Sequence, residues 1–496
     1  MAGNTVRLQK TSPTSQYKYA ALSYCWGTAG PDAKDHRTLK SNVTAREVGF
    51  CLDELPQTLQ DAVLVARTMN IPYIWIDALC IVQDDMSEWE SESQRMMDYY
   101  GNACLTLVPV LADSASTGML RSAGSRPFSC RLRGPWIHER GSDLILADTC
   151  PRDLQETINI STWNQRGWTY QEMLNSSRIL FVVGHRIALL CRHGNWDSLM
   201  GWKTTLGGVT TKFLPAKDTQ ITSQDVSVDP YVQWRKFVHP FTRRRLTETK
   251  DRWFAFSAII ENYSRIYNRQ IVAGLWGEML TQELVSWVPG SPAPLPNLDE
   301  TSLTGPYRFP SWSWLSIDWD QIGNIRGINY YIIKAGTFFK SHAEAEVLPS
   351  SSVIGSADLR IVAPKLTRDE ILALLEPPET NGTLYIRGRS TDKVYLDHCR
   401  CLISHPASSR CEADIRRVIP SLVPAPSALL IGVGESFAEP QLWCFLLIQP
   451  AGGNTNYYTT YSRIGIMLIR QEDMDSKYQT IRDQLISGEK ECIRLV

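Results

Sequence analysis

Carboxylates set beside tryptophan are the residues of this sequence best suited to chemistry. Glu92 stands three residues after Trp89 and four before Met96. On a helix it therefore borders the stripe made by Trp89, Ser93, Met96 and Tyr100. A carboxylate half-sunk against Trp and Met has its pKa raised by desolvation. In that setting it can polarise a ribose hydroxyl or stabilise an oxocarbenium-like centre, which is the chemistry of glycosidic cleavage. Glu92 is thus the catalytic candidate. The structural alternative is a carboxylate that anchors its helix to the Arg and Tyr groups of the segment 166–178.

Other polar groups cluster where strands should end. Ser23, Tyr24, Trp26 and Gly27 follow a short apolar run, and Cys80 and Gln83 follow another. In an open α/β sheet, ligands sit beyond the carboxyl ends of the strands. If these two strands are neighbours, the six residues collect along one edge, with Trp26-Gly27 as a stacking wall beside a closely approached backbone. Alternatively, Trp26 fills core and Gly27 makes a turn. Asp77 interrupts an apolar run and needs a partner, either Arg166, Arg178 or a helix N-terminus. Trp168, Gln171 and Glu172 lie on one helical segment, so polar groups sit beside an aromatic anchor. They either complete the site or lock this segment against the first strand.

The elements that would carry these residues alternate over the first ~110 residues. The spacing predicts a strand over Tyr19 to Tyr24, a loop over 28–50, and a helix from Pro56 to just before Pro72. A strand covered on both faces is expected from Tyr73 to Val82. A helix over Glu88 to Tyr100, capped by Ser87 and Glu90, and a strand over Cys104 to Val110 follow. Segment 111–160 reads as irregular. Gly167 to Asn175 reads as a short helix, and Ile179 to Cys191 as two strands and a turn. Residues 200–230 form a polar insertion, with helices expected at 231–240 and 251–265. Beyond residue 345 a β-rich region is expected, including Thr383 to Arg387, Ala428 to Val433, Leu442 to Ile448 and Ile464 to Ile469. A helix over about 476–487 closes it. The organisation is therefore 1–200, an α/β domain; 201–340, a Trp-rich, mostly helical or irregular extension; and 341–496, a β-rich region.

Bulk properties narrow the function. Hydrophobic residues at 43% and charged residues at 21% are globular values. A net charge of -1 argues against a nucleic-acid binder working by bulk electrostatics, and the run Arg243, Arg244, Arg245 reads as solvated. The N-terminus is polar and no apolar run approaches the ~20 residues of a membrane helix, so a cytoplasmic protein without a membrane span is expected. The twelve cysteines form no paired C-x-x-C motif and read as reduced. His398, Cys399, Cys401, His405 and Cys411 are zinc-ligand types, but their spacing matches no standard finger, and no metal is expected. Glycine-rich phosphate loops, a G-x-S-x-G elbow and an H-E-x-x-H pair are all missing from the sequence.

Four blocks in order resemble the fungal heterokaryon incompatibility (HET) family. The first is Tyr19-Ala20-Ala21-Leu22-Ser23-Tyr24-Cys25-Trp26-Gly27. The second starts at Leu55-Pro56-Gln57-Thr58 with Asp61-Ala62, runs through Tyr73-Ile74-Trp75-Ile76-Asp77-Ala78-Leu79-Cys80-Ile81-Val82-Gln83-Asp84-Asp85, and reaches Trp89, Glu92, Met96, Tyr99-Tyr100 and Asn102-Ala103. The third is Arg166-Gly167-Trp168-Thr169-Tyr170-Gln171-Glu172 with Ser177-Arg178. The fourth is looser: Leu246-Thr247, Asp251-Arg252, Ala273-Gly274-Leu275-Trp276 and Pro310-Ser311-Trp312-Ser313-Trp314. The resemblance implies a role in non-self recognition and programmed cell death, with protein partners or self-association. HET domains are in turn distantly similar to TIR domains, which share an open α/β sheet and some of which cleave NAD with a glutamate. That second step implies a mostly parallel sheet flanked by helices, a nucleotide ligand, and NAD as a substrate rather than a bound cofactor. A third role, as an accessory protein or enzyme of a metabolic pathway, stands beside these.

Overall fold

The computed structural model describes residues 4–12, 16–27, 36–120, 129–132, 144–147, 154–184, 186–191, 194–198, 201–202, 230–246, 251–289, 293–294, 309–316, 328–329, 339–348, 358–375, 393–396, 398–399, 425–434, 441–455, 458–476 and 478–495. The chain divides into two compact units. One is Met1–Gln220 with Phe254–Asn262, and the other is Ile221–Trp253 with Tyr263–Val496.

In the first unit, seven strands form one sheet. They are β1 (Tyr19–Leu22), β2 (Tyr73–Trp75), β3 (Leu105–Pro109), β4 (Arg178–Val183), β5 (Arg186–Cys191), β6 (Gly194–Asp197) and β7 (Gly201–Trp202), in the order β7-β6-β5-β4-β3-β1-β2. Strands β2, β1, β3 and β4 run parallel. From β4 to β7 the pairing is antiparallel. The sheet is therefore mixed rather than mostly parallel. The physical reason is the tight connection after Val183, where Gly184 adopts φ 61°. So short a turn can only return the chain antiparallel, whereas parallel neighbours need a long crossover.

Helices pack around this sheet: α1 (Val43–Val48), α2 (Gln57–Thr68), α3 (Asp77–Cys80), α4 (Met86–Gln94), α5 (Met96–Asn102), α6 (Leu154–Ile160), α7 (Thr162–Gln165) and α8 (Trp168–Asn175). Pro56 occupies the N-cap of α2, and Leu59, Ala62, Val63 and Ala66 form its buried stripe. That stripe joins Leu22, Tyr24, Leu79 and Leu107 in one apolar cluster. A smaller cluster gathers Ala21, Met96, Tyr100 and Ala103, with Tyr19, Trp75 and Trp168 packed on it.

Several expected elements differ. The run Tyr73 to Val82 is not one covered strand: β2 stops at Trp75, lies at the sheet edge, and leaves Tyr73 39% exposed. An apolar run fits a buried strand and a buried helix equally by pattern. Asp77 decides for helix, because its carboxylate accepts the Ala78 amide at 2.7 Å where α3 begins. The cap of α4 is Asp85, accepting from Ser87 and Glu88 at 3.1 and 3.3 Å, in place of the expected Ser87 and Glu90. The helix also breaks at Arg95 before resuming as α5. Within the expected loop 28–50 lies α1, and Phe50–Cys51 pairs with Thr5–Val6. Segment 111–160 contains the strand pair Ser129–Leu132 with Leu144–Ala147, and α6. Most of the expected insertion 200–230 lies outside the described residues.

The second unit holds a tryptophan-rich helical part and a large sheet. Helices α9 (Pro230–Thr242) and α11 (Leu280–Glu283) belong to it, as do both ends of α10 (Asp251–Tyr267), whose middle belongs to the first unit. Trp234, Trp287, Trp312 and Trp314 are wholly buried. The indoles of Trp234 and Trp314 both donate to the Gly274 carbonyl, at 3.3 and 3.0 Å. Gly274 has φ 81°, and a Cβ there would stand 2.8 Å from the Trp314 ring, so both conformation and space require glycine. Of the expected basic run, Arg244 is buried while Arg243 and Arg245 are exposed.

The sheet of the second unit comprises β8 (Phe339–Ser341), β9 (Glu344–Leu348), β10 (Asp358–Ala363), β11 (Lys365–Leu366), β12 (Lys393–Leu396), β13 (Ser427–Gly434), β14 (Leu442–Thr455), β15 (Tyr458–Arg470) and β16 (Glu491–Leu495). Its main path is β8-β13-β14-β15-β16-β10-β9, with β11 on β13 and β12 on β15. Helices α12 (Arg368–Leu375), α13 (Gln471–Ser476) and α14 (Gln479–Ser487) contribute Ile371, Leu374, Met474 and Leu485 to the cluster over this sheet. The expected closing helix is thus α14 preceded by α13, and β16 follows it, inserted between β15 and β10. Arg463 ties the tryptophan-rich part to β15. Its guanidinium donates to the carbonyls of Leu284 and Trp287 at 2.8 and 3.0 Å and lies 3.7 Å from the Trp287 ring centre. The expected strand Thr383 to Arg387 and the side chains of His398, Cys399, Cys401, His405 and Cys411 lie outside the described residues.

Candidate functional site

The strand order β2-β1-β3-β4 puts a topological switch between β1 and β3. The chain leaves β1 toward β2 and returns past it to β3, so the two following connections diverge. In open α/β sheets such a point, beyond the carboxyl ends of the strands, is where ligands bind. Ser23 and Tyr24 occupy the end of β1 there, and the Ser23 amide still donates to the Leu107 carbonyl of β3 at 3.0 Å.

Helix α8 brings the opposing groups. Its first turn is set by Thr169, whose hydroxyl donates to the carbonyls of Trp163 and Arg166 at 2.7 and 2.9 Å. That fixes the bend between α7 and α8 and turns Glu172 toward β1. The Ser23 hydroxyl donates to the Glu172 carboxylate, and the Trp163 indole donates to the Ser23 oxygen at 2.7 Å. All three residues are buried, Ser23 and Glu172 at 1% and 5% exposure. Arg166, in the bend, donates to the Tyr24 carbonyl. On the other side of β1, the Trp26 indole donates to Asp77 at 2.9 Å.

Electrostatics join these pairs into one cluster. Burial pushes the Glu172 carboxyl up to about 7, against the bond from Ser23, with the Asp77 charge adding to the rise and Arg166 opposing it. Asp77 is raised in turn by desolvation, and Arg166, the Ala78 amide and the Trp26 indole draw it part of the way back. Two carboxylates face one guanidinium, so with both ionised the cluster carries an excess negative charge in a low-dielectric setting. Retaining a proton on the deeper carboxyl relieves it. The Tyr100 hydroxyl donates to the Leu22 carbonyl at 3.1 Å, and its own proton is held by burial and by the charges of Glu172 and Asp77.

Of the residues singled out in the sequence, Ser23, Tyr24, Trp26, Asp77 and Glu172 come together here. Gly27 makes its close approach to the protein itself. It has φ 78°, and a Cβ on it would meet Ser114 at 2.4 Å, so the close approach it permits is to the protein's own loop. Gln83 braces the turn after α3, donating to the carbonyls of Asp77 and Ile81 at 3.0 and 3.2 Å. Cys80 is exposed, and its sulfur accepts the Ile76 amide at 3.5 Å. Trp168 packs edge-on against Trp89 at 6.1 Å. Gln171 is wholly buried, and neither of its amide atoms has a partner among the described residues. Glu92 stands outside the cluster: it accepts from the Tyr99 hydroxyl and pairs with Arg95 at 3.1 Å, partners from its own helical stretch rather than from residues 166–178.

Residues 19–172 match the family model described as heterokaryon incompatibility protein (HET). The chain carries a HET domain. Comparison with curated proteins and with solved structures gives no match. The matched span of the HET domain opens on β1 and closes on Glu172, so it encloses every member of the buried cluster. Arg166, Trp163 and Tyr100 belong to that cluster and were not among the expected ligand-binding residues. The signal for Arg166 is its place as a candidate partner of Asp77, and that for Tyr100 is its place in the second block and on the stripe with Trp89, Ser93 and Met96; Trp163 carries no signal beyond its nearness to the third block. A HET domain assigns the chain, in general terms, to heterokaryon incompatibility. Among the described residues, no helix is long and apolar enough to cross a membrane.

Proposed function

We propose that this chain is an effector of fungal heterokaryon incompatibility, and that its HET domain triggers cell death by cleaving the glycosidic bond of a nucleotide, with NAD as the candidate substrate. The observation that supports this is the buried Glu172 carboxyl at the switch point, bonded to Ser23 and pushed up to about 7 by burial and by the charge of Asp77. Nicotinamide leaves NAD as a neutral base, so its departure needs no acid. What it needs is negative charge beside the sugar as positive charge develops, and water to complete the hydrolysis. Ionised Glu172 and Asp77 supply that charge. This moves the catalytic role from Glu92, whose carboxylate is occupied by Tyr99 and Arg95, to Glu172. The distant likeness of HET to TIR domains points the same way.

A second reading has its own support. Ser23, Trp163 and Glu172 are so deeply buried that their bonds also serve to lock α8 onto β1, and the effector then acts by assembling with copies of itself or with a partner protein. The two readings separate on induced expression in a fungal host, with viability and cellular NAD followed for wild type, Glu172→Gln and Glu92→Gln. Glutamine still accepts a hydrogen bond from Ser23. In the cleavage reading, wild type and Glu92→Gln drain NAD before the cells die, and Glu172→Gln does neither at equal expression. Death with NAD unchanged in all three would overturn cleavage and leave assembly.

A further inference from the structure

Tyr24 holds a side-chain atom that the fold does not use. Its ring is 3% exposed and packs in the apolar cluster with Leu22, Leu59 and Leu107. Its hydroxyl is buried and has no hydrogen-bond partner among the described residues. The charges of Asp77, Arg166 and Glu172 all act on that hydroxyl, so it stands inside the cluster at the switch point. An unpaired buried hydroxyl opposes folding, and phenylalanine would fill the same space without that cost. Gln171, next to Glu172 on α8, repeats the pattern with both atoms of its amide.

We infer that Tyr24 is a specificity-determining residue of this site, its hydroxyl contacting a free hydroxyl on the sugar ring of the ligand. This rests on the reading of the site as one that takes a nucleotide. A sugar hydroxyl is the matching chemistry, because it accepts a hydrogen bond from the phenol and donates one of its own to a carboxylate. Asp77 and Glu172 are the carboxylates whose charges act on the Tyr24 hydroxyl. The phenol keeps its proton, since burial and then Asp77 push its dissociation far upward.

The test is Tyr24→Phe in the full chain, with ligand-free thermal unfolding, NAD hydrolysis, and the thermal shift given by NAD and by ADP-ribose. The ligand-free variant is expected to melt at or above the wild-type temperature. Its kcat/KM for NAD is expected to fall roughly tenfold or more, chiefly through KM. A lower ligand-free melting temperature would overturn the inference, since the hydroxyl would then have a partner in the fold. So would an unchanged kcat/KM. If NAD or ADP-ribose stabilises wild type without being cleaved, and Tyr24→Phe loses the shift, the cleavage reading fails while the contact stands. If neither nucleotide stabilises nor is cleaved by wild type, the contact falls as well.

Discussion

The hydroxyl of Ser23 and the carboxylate of Glu172 meet as donor and acceptor across 149 residues of sequence. Their bond joins the end of the first parallel strand to the last residue matched by the HET family. It brings the first and third motif blocks into contact, while Asp77 brings the second to them through Trp26. The blocks are therefore parts of one buried polar cluster.

Replacing Ser23 by alanine removes one donor from Glu172 and the acceptor of the Trp163 indole at once. Both groups are buried, so Ser23→Ala is expected to lower stability by about 2–4 kcal/mol. Urea unfolding of the full chain measures this as a lower midpoint.

Stability should also depend on pH through Glu172. Folded, it keeps its proton up to about pH 7; its ordinary value is 4.5. Below 4.5 it is protonated in both states and favours neither. Between 4.5 and 7 the unfolded chain releases the proton and the folded chain does not, so stability falls as pH rises and levels off above 7. Asp77, also raised, adds a fall of the same sign. Melting temperatures across this range should show a shallower slope for Glu172→Gln than for wild type.

Activity should run the opposite way. If ionised Glu172 carries the cleavage of NAD, kcat rises with pH and reaches a plateau above about 7. A rate that declines through the same range would instead mean that the protonated carboxyl acts, on a leaving group that needs a proton.

Gly27→Ala places a methyl 2.4 Å from Ser114 in a backbone region that disfavours side chains. The expected loss is about 1–3 kcal/mol from conformation alone, with the contact adding to it. A melting temperature within error of wild type would show that the loop at Ser114 yields.

In the second unit, Arg463→Met leaves the carbonyls of Leu284 and Trp287 without their donors. Two buried acceptors left unpaired cost about 2–5 kcal/mol. Tryptophan fluorescence during unfolding should report the change, because Arg463 lies over the Trp287 ring.

The elements governed by local rules were legible in the sequence. Pro56 marks the start of α2, the Leu59 stripe gives its buried face, and Gly184 marks the hairpin of β4 and β5. The run after Tyr73 misled because unbroken apolarity has no period to read, and one carboxylate-to-amide bond at Asp77 decides between strand and helix. The site was half legible. Ser23, Tyr24, Trp26, Asp77 and Glu172 stand out in the sequence, and so does Glu92. Its neighbours Trp89 and Met96 are visible in sequence, whereas what raises Glu172 is burial by residues distant in the chain, with the charge of Asp77 adding to it. No local pattern reports that.

The sheet order has one more consequence, for where the chain can be cut and when it can fold. The family match stops at residue 172, but β3 pairs with β4 at residues 178–183, and its residues Leu105–Pro109 are all buried. A nascent or recombinant chain ending at the family boundary would present that strand with one ladder of backbone groups open and its apolar side chains wet, a template for aggregation. On the ribosome, the HET sheet must wait for its partner from beyond its own motifs. A fragment meant to behave as the domain should extend at least through β5 at Cys191.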